Sequence, residues 1–203
     1  MGLPFVFAYS ISAEGRSRAN FAPMSVAANE DLRYPIGRLH RPASLTPAER
    51  AEAVQTLRNL PDALAASLEG LTGQQIQTPY REGGWNIRQV VHHLADSHMQ
   101  AYSRLRMALT EDWPIIKPYN EAAWAELADS KSVHVEISLD ILRPLHARWV
   151  VLIESIPEAD FTARGFTHPE HGRTNLDQAL ATYAWHSLHH TAHITKLRER
   201  MGW

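Results

Sequence analysis

Residues 86–110 read NIRQVVHHLADSHMQAYSRLRMALT, and this stretch decides the fold class. Taken at about 100° per residue, Ile87, Val91, Leu94, His98, Ala101 and Leu105 fall on one stripe, with Val90 and Ala108 on its flank. The spacing predicts a long amphipathic helix whose stripe faces a core. A Gly-Gly turn (Gly83, Gly84) and Trp85 precede it, and Asn86 with Gln89 has the form of a capping box that opens the helix. His93 projects beside the Val90 and Ala108 edge. His92 points about 150° from the stripe's centre, toward solvent or a partner.

Working outward, three further helices are expected. Thr46, Pro47 and Glu49 place an N-cap, a first-turn proline and a capping-box acid in register, and Leu57, Leu60, Leu64, Leu68 and Leu71 follow at helical spacing. Pro61 is expected to kink or split this helix. Ser138 to Ile153 carries Leu142, Leu145, Trp149 and Leu152 in period, with Pro144 disturbing its early turns. Thr174 with Asp177 is read as the cap of a last helix that runs to about Met201. Residues 31–45 are too densely punctuated by Pro35, Gly37 and Pro42 for a helix and read as an extended lead-in packed across the body. Residues 112–136 read as a long loop with a short helix at 119–127, and GFTHPEHGR (165–173) as a turn-rich connection. The predicted fold is all-α, a four-helix bundle with an N-terminal lead-in and a long loop between helices 2 and 3. The domain spans 31–203. Residues 1–30 are expected to be a poorly ordered extension, of which 1–23 precede a second methionine, Met24.

Composition narrows the function. Twenty Lys and Arg against 22 Asp and Glu leave a net charge of -2, so no overall positive field favours nucleic acid or an anionic membrane. No apolar run approaches the roughly 18 residues of a spanning helix. Residues 3–12 resemble a short signal region but lack a preceding Lys or Arg, so export is not expected. Zero cysteines exclude disulfides, thiolate zinc sites and a cysteine nucleophile, and suit a cytoplasmic setting. A soft-metal site must therefore use imidazole.

The chain has 12 histidines, and the clustering of seven in HHLADSH (92–98) and HSLHHTAH (186–193) matters more than the count. An i, i+4 pair brings two imidazoles onto one helix face, close enough to share an ion. On the last helix His186 and His190 satisfy this, and so do His189 and His193. Relative to the apolar side formed by Leu176, Leu180, Tyr183, Ser187, Ile194 and Leu197, His190 lies at about 40° and His186 at about 80°, with His189 and His193 further round. The core-edge His93 supplies a third imidazole. Three neutral nitrogens leave a coordination position for water, whose pKa can drop near 7 beside such a metal, the pattern of a catalytic site. A histidine beside an apolar stripe, taken alone, is more often a hydrogen-bonded structural residue. No HExxH protease motif is present, because Ser187, Leu188 and His189 separate the pair. Asp96, one turn after His93, is a candidate to orient an imidazole, or else a solvated charge. Tyr119 and Asn120 are candidates for a pocket wall, Trp113 and Trp124 for packing anchors. Arg81 and Glu82 read as a surface pair or a ligand contact.

The segments RYPIG (33–37), TPYREGGWNIRQVVHHLADSHMQAY (78–102), IKPYNEAAWAEL (116–127), LHARWV (145–150), YAWHSLHHTAHI (183–194) and the closing RMGW resemble the YfiT family, within the wider DinB-like superfamily of four-helix-bundle metalloproteins. The resemblance implies that His93, His186 and His190 bind one zinc or nickel ion per subunit in a cytoplasmic homodimer. It implies a metal-dependent hydrolase acting on a small molecule. Related bundles are thiol S-transferases that use bacillithiol or mycothiol, the alternative activity, and a non-catalytic metal-binding bundle is the second. No general base is assigned by the sequence.

Overall fold

The computed structural model describes residues 31–203, and the expected N-terminal extension, 1–30, lies outside the described residues. Residues 31–45 contain no helix or strand. Helix α1 (Pro47–Leu68) opens on the expected capping box of Thr46 and Glu49, with Pro47 in the first turn. It runs unbroken through Pro61, so the proline does not split it. A short α2 (Gly73–Ile76), capped by Thr72 and Gln75, was not expected. Helix α3 (Ile87–Thr110) begins at Asn86 and Gln89, as the sequence indicates.

The segment between the second and third long helices is more ordered than a loop. It holds two short helices, α4 (Glu121–Trp124) and α5 (Ala128–Ser132), in place of the single helix expected over 119–127. Helix α6 (Val135–Glu154) begins three residues earlier than read and continues through Pro144. After α7 (Asp160–Ala163) comes an antiparallel hairpin, β1 (Gly165–His168) paired with β2 (Gly172–Asn175), where only turns were expected. Two four-residue strands, with Pro169 between them and Gly172 opening the second, carry too little alternation to register as strands. The pairing is helped from outside, because Ile116 N–H donates to Thr167 O and Thr167 N–H to Pro114 O.

Helix α8 (Leu176–Met201) is capped by Asn175 with Gln178 in a capping box, not by Thr174 with Asp177. Asp177 is fully buried and forms an ion pair with Arg50 of α1 at 2.9 Å while accepting from Leu45 N–H at 3.0 Å. A cap assigned from spacing lost out to a long-range ion pair.

The four long helices, α1, α3, α6 and α8, form a four-helix bundle in which α1 packs on α6 and α8, and α3 packs on the same two. The apolar core falls into two clusters. One gathers Leu57, Ala101, Leu105, Trp149, Ile153, Leu176 and Leu180, the other Leu64, Ile87, Leu94, Leu142, Ile194 and Leu197. On three helices a histidine stands at the join. His98 lies between Leu94 and Ala101 on α3, His146 between Leu142 and Trp149 on α6, and His186 and His190 between Ala184 and Ile194 on α8. Among the described residues no helix is long and apolar enough to cross a membrane.

Candidate metal centre

His93 leaves α3 from its core edge, and His186 and His190 leave α8 one turn apart, so the bundle packing of α3 on α8 brings the three rings together. One ring nitrogen of each lies within 4.8 Å of the others. His93 Nε2 is 3.2 Å from His186 Nε2, and the ring centroids are 4.5–5.2 Å apart. His93 and His190 are buried. Burial holds the pKa of His186 and His190 well below 6.5, as do the charges of neighbouring rings, and it lowers His93 to about 4, helped by His189. Neutral imidazole is the form that binds a metal.

The donor set fits an ion. Two nitrogens bound at ~2.0–2.1 Å to one tetrahedral zinc stand about 3.3 Å apart, close to the spacing of His93 and His186. Among the described residues the three lack a thiolate or carboxylate partner, which suits a borderline-soft divalent ion.

The triad lies in the wall of a cleft of about 770 Å³, whose lining includes Trp85, Arg104, Tyr119, Asn120, His168 and Trp185. Trp85 packs on His93 at 4.7 Å and stacks over His190 at 6.3 Å. Tyr119 and Asn120 line the cleft, and Trp124 packs against Tyr119 at 4.5 Å. Burial pushes the Tyr119 hydroxyl up to about 12, so it stays a hydrogen-bond donor at neutral pH.

Other sequence candidates are placed differently. His92 does not face solvent: it is 7% exposed, with Nδ1 2.7 Å from Ser138 Oγ and Nε2 3.1 Å from Val133 O. It braces α3 against the start of α6, away from the triad. Asp96 makes no hydrogen bond to His93 among the described residues; burial and the nearby Asp129 raise its carboxyl to about 6. Arg81 donates to the Glu82 backbone carbonyl and to Tyr80, and is neither paired with the Glu82 carboxylate nor part of the cleft wall.

The alternative pair, His189 and His193, also gathers with His190 within 4.8 Å. Both nitrogens of His193 are already engaged, Nδ1 with His190 Nδ1 at 3.3 Å and Nε2 with Arg33 O at 3.4 Å, while His189 stacks on Trp185 at 4.2 Å. That set draws on one helix alone. A third group, His168, Glu170 and His171, sits on the hairpin and is more exposed.

Sequence reasoning missed His98 and His146. His98 Nε2 is 3.1 Å from His186 Nδ1, His98 Nδ1 is 2.9 Å from His146 Nε2, and His146 Nδ1 is 2.6 Å from Leu57 O. Both rings are almost wholly inaccessible. The available signal was their place inside apolar stripes, where an unpartnered ring would be costly.

A mostly helical bundle in which three imidazoles from two helices converge places the chain in the class of histidine-rich four-helix bundles. Residues 42–194 match the DinB superfamily model. A protein of Bacillus mycoides is 50% identical over 174 residues, covering 86% of this chain and 99% of that relative. One of Bacillus subtilis is 47% identical over 174 residues, 85% of this chain and 97% of its own, and bears the name "Putative metal-dependent hydrolase YfiT". The solved structure of YfiT from Bacillus subtilis, described as having "an unusual four-helix bundle topology", superposes with a TM-score of 0.83 at 46% identity, covering 86% of this chain and 99% of that one. The chain belongs to the DinB superfamily and, within it, to the YfiT family.

Proposed function

We propose that this protein is a metal-dependent hydrolase of small molecules in which His93, His186 and His190 hold one divalent ion, zinc or nickel. The observation that supports this reading is the convergence of three imidazoles from two helices in the wall of a cleft of about 770 Å³. When bound, the ion supplies Lewis-acid chemistry, polarising a substrate group and acidifying water. The chain's own residues do the rest. Trp85 and Trp185 give the cleft apolar walls, the protonated Tyr119 hydroxyl offers a hydrogen bond, and the Arg104 guanidinium, close to Tyr183 Oη at 3.3 Å, adds a positive charge to the lining. A cytoplasmic homodimer belongs to the same reading.

The test is an assay of purified protein, metal-loaded and chelator-treated, against a panel of esters and amides. Parallel assays present an electrophile such as monochlorobimane with bacillithiol, cysteine or glutathione. Chelator-sensitive hydrolysis without thiol is the expected result. Turnover only when thiol is supplied would make the protein an S-transferase, and firm metal retention without turnover in any assay would leave a metal-binding bundle. Elemental analysis of native protein decides between zinc and nickel, and sedimentation equilibrium tests the dimer.

A further inference from the structure

We infer that two rows of hydrogen-bonded histidines, each ending on a backbone carbonyl, lock His186 and His190 as Nδ1–H tautomers and so turn their Nε2 lone pairs toward His93. His98, His146 and His193 are thus positioning residues for the centre. The inference rests on the proposed metal reading for its purpose, whereas the tautomers can be read without a metal.

The direction of the first row follows from its end. Leu57 O can only accept, so His146 Nδ1, 2.6 Å away, carries the proton. At pH 8 a neutral His146 then has a bare Nε2, and His98 Nδ1 donates to it at 2.9 Å. His98 Nε2 is left as an acceptor and takes the Nδ1–H of His186 at 3.1 Å. Reversing the row would set the His146 Nδ1 lone pair against a carbonyl oxygen in the core, an arrangement with no hydrogen bond at either atom. What remains on His186 is Nε2, the atom 3.2 Å from His93 Nε2.

The carbonyl at the end of the row is unclaimed for a reason written in the sequence. In a regular α-helix the N–H of residue 61 would donate to Leu57 O, but residue 61 is proline and has no N–H. Pro61 costs α1 a backbone bond and releases an acceptor into the core where His146 meets it.

The second row repeats the logic on the other ligand. Arg33 O accepts from His193 Nε2–H at 3.4 Å, so His193 Nδ1 accepts from His190 Nδ1–H at 3.3 Å and His190 keeps Nε2 for the centre. The lead-in segment thereby serves the site through its backbone. A proton fixed on the far nitrogen both orients a ligating imidazole and raises its basicity, and loss of such partners typically weakens metal binding about 10–100-fold.

The experiment is a long-range ¹H–¹⁵N correlation spectrum of the full-length, metal-free protein at pH 8. His98, His146, His186 and His190 are expected as Nδ1–H tautomers and His193 as Nε2–H; His186 or His190 found as Nε2–H would overturn the inference. His146→Leu is expected to scramble the tautomers of His98 and His186 and to weaken zinc binding, measured by chelator competition, by about 10-fold or more. His146→Gln, whose amide can donate to Leu57 O and accept from His98, is expected to recover most of that affinity. Unchanged tautomers and zinc affinity in His146→Leu would reject the positioning role. Should His146→Leu fail to fold, the wild-type spectrum still decides. A wild-type protein that takes up neither zinc nor nickel would overturn the proposed function, while the metal-free tautomer pattern would independently uphold or reject the two histidine rows.

Discussion

His92 and His93 are neighbours on α3 with different tasks. His93 faces two imidazoles of α8, and His92 bridges Ser138 and Val133. His93→Ala and His190→Ala are each expected to lower metal retention at least 100-fold, as measured by elemental analysis after dialysis, whereas His92→Ala keeps its metal. The cost of His92→Ala is to stability, about 1–3 kcal/mol by urea denaturation, because Ser138 Oγ and Val133 O lose a buried partner. Helical angles read from sequence told the two apart but left His92 between solvent and a partner, and the solvent alternative fails. Its partners lie more than 40 residues along the chain, in a segment whose path no local period reveals. His146 adds a pH dependence. Burial depresses it from 6.5 to about 4, so between those values the unfolded chain binds more protons and stability falls as pH falls. Metal-free protein is therefore expected to hold full stability above pH 6.5 and to lose it steadily down to about 4, with about 3 kcal/mol from His146 alone. Thermal melts across that range check it, and a flat profile would mean that the ring is not buried neutral.

Helix α8 shows how an element can be legible in extent and illegible in its ties. Its length, its capping residues within a position or two, and the histidine face were all readable, because each depends on spacing within one helix. The pairing of Asp177 with Arg50 was not, since it depends on where α1 docks. Asp177→Ala is expected to cost about 3–5 kcal/mol by denaturant titration, because it leaves the buried Arg50 guanidinium with the exposed Glu158 as its one carboxylate partner, beside the Leu45 carbonyl. The hairpin of β1 and β2 was also invisible locally. Gly165 makes it feasible: a Cβ there would sit 2.1 Å from Thr174 O, so only glycine allows the strands to meet at that end. Gly165→Ala is expected to open the hairpin and reshape the cleft wall at His168. Loss of hydrogen-exchange protection at Leu176 N–H, which donates to Arg164 O at 3.1 Å beside Gly165, would show it, and an unchanged exchange rate would contradict it.

For the molecule as a whole, the four-helix architecture followed from apolar periodicity, and the family strings pointed to the same fold. The layer of histidines between the two core clusters did not, because it exists only once α1, α3, α6 and α8 are side by side. Zinc that binds the folded bundle alone should raise the melting temperature in proportion to the logarithm of its concentration, reaching about 4 kcal/mol of added stability at 1,000 times Kd. Scanning calorimetry against free zinc checks this, and no shift would argue against a folded-state site. The row from Leu57 O through His146 and His98 to His186 draws one participant from each long helix. An optically active ion such as cobalt(II), introduced during refolding, would therefore act as a clock for the last docking event: its ligand-field band should appear with completed assembly, behind the far-ultraviolet signal of the individual helices.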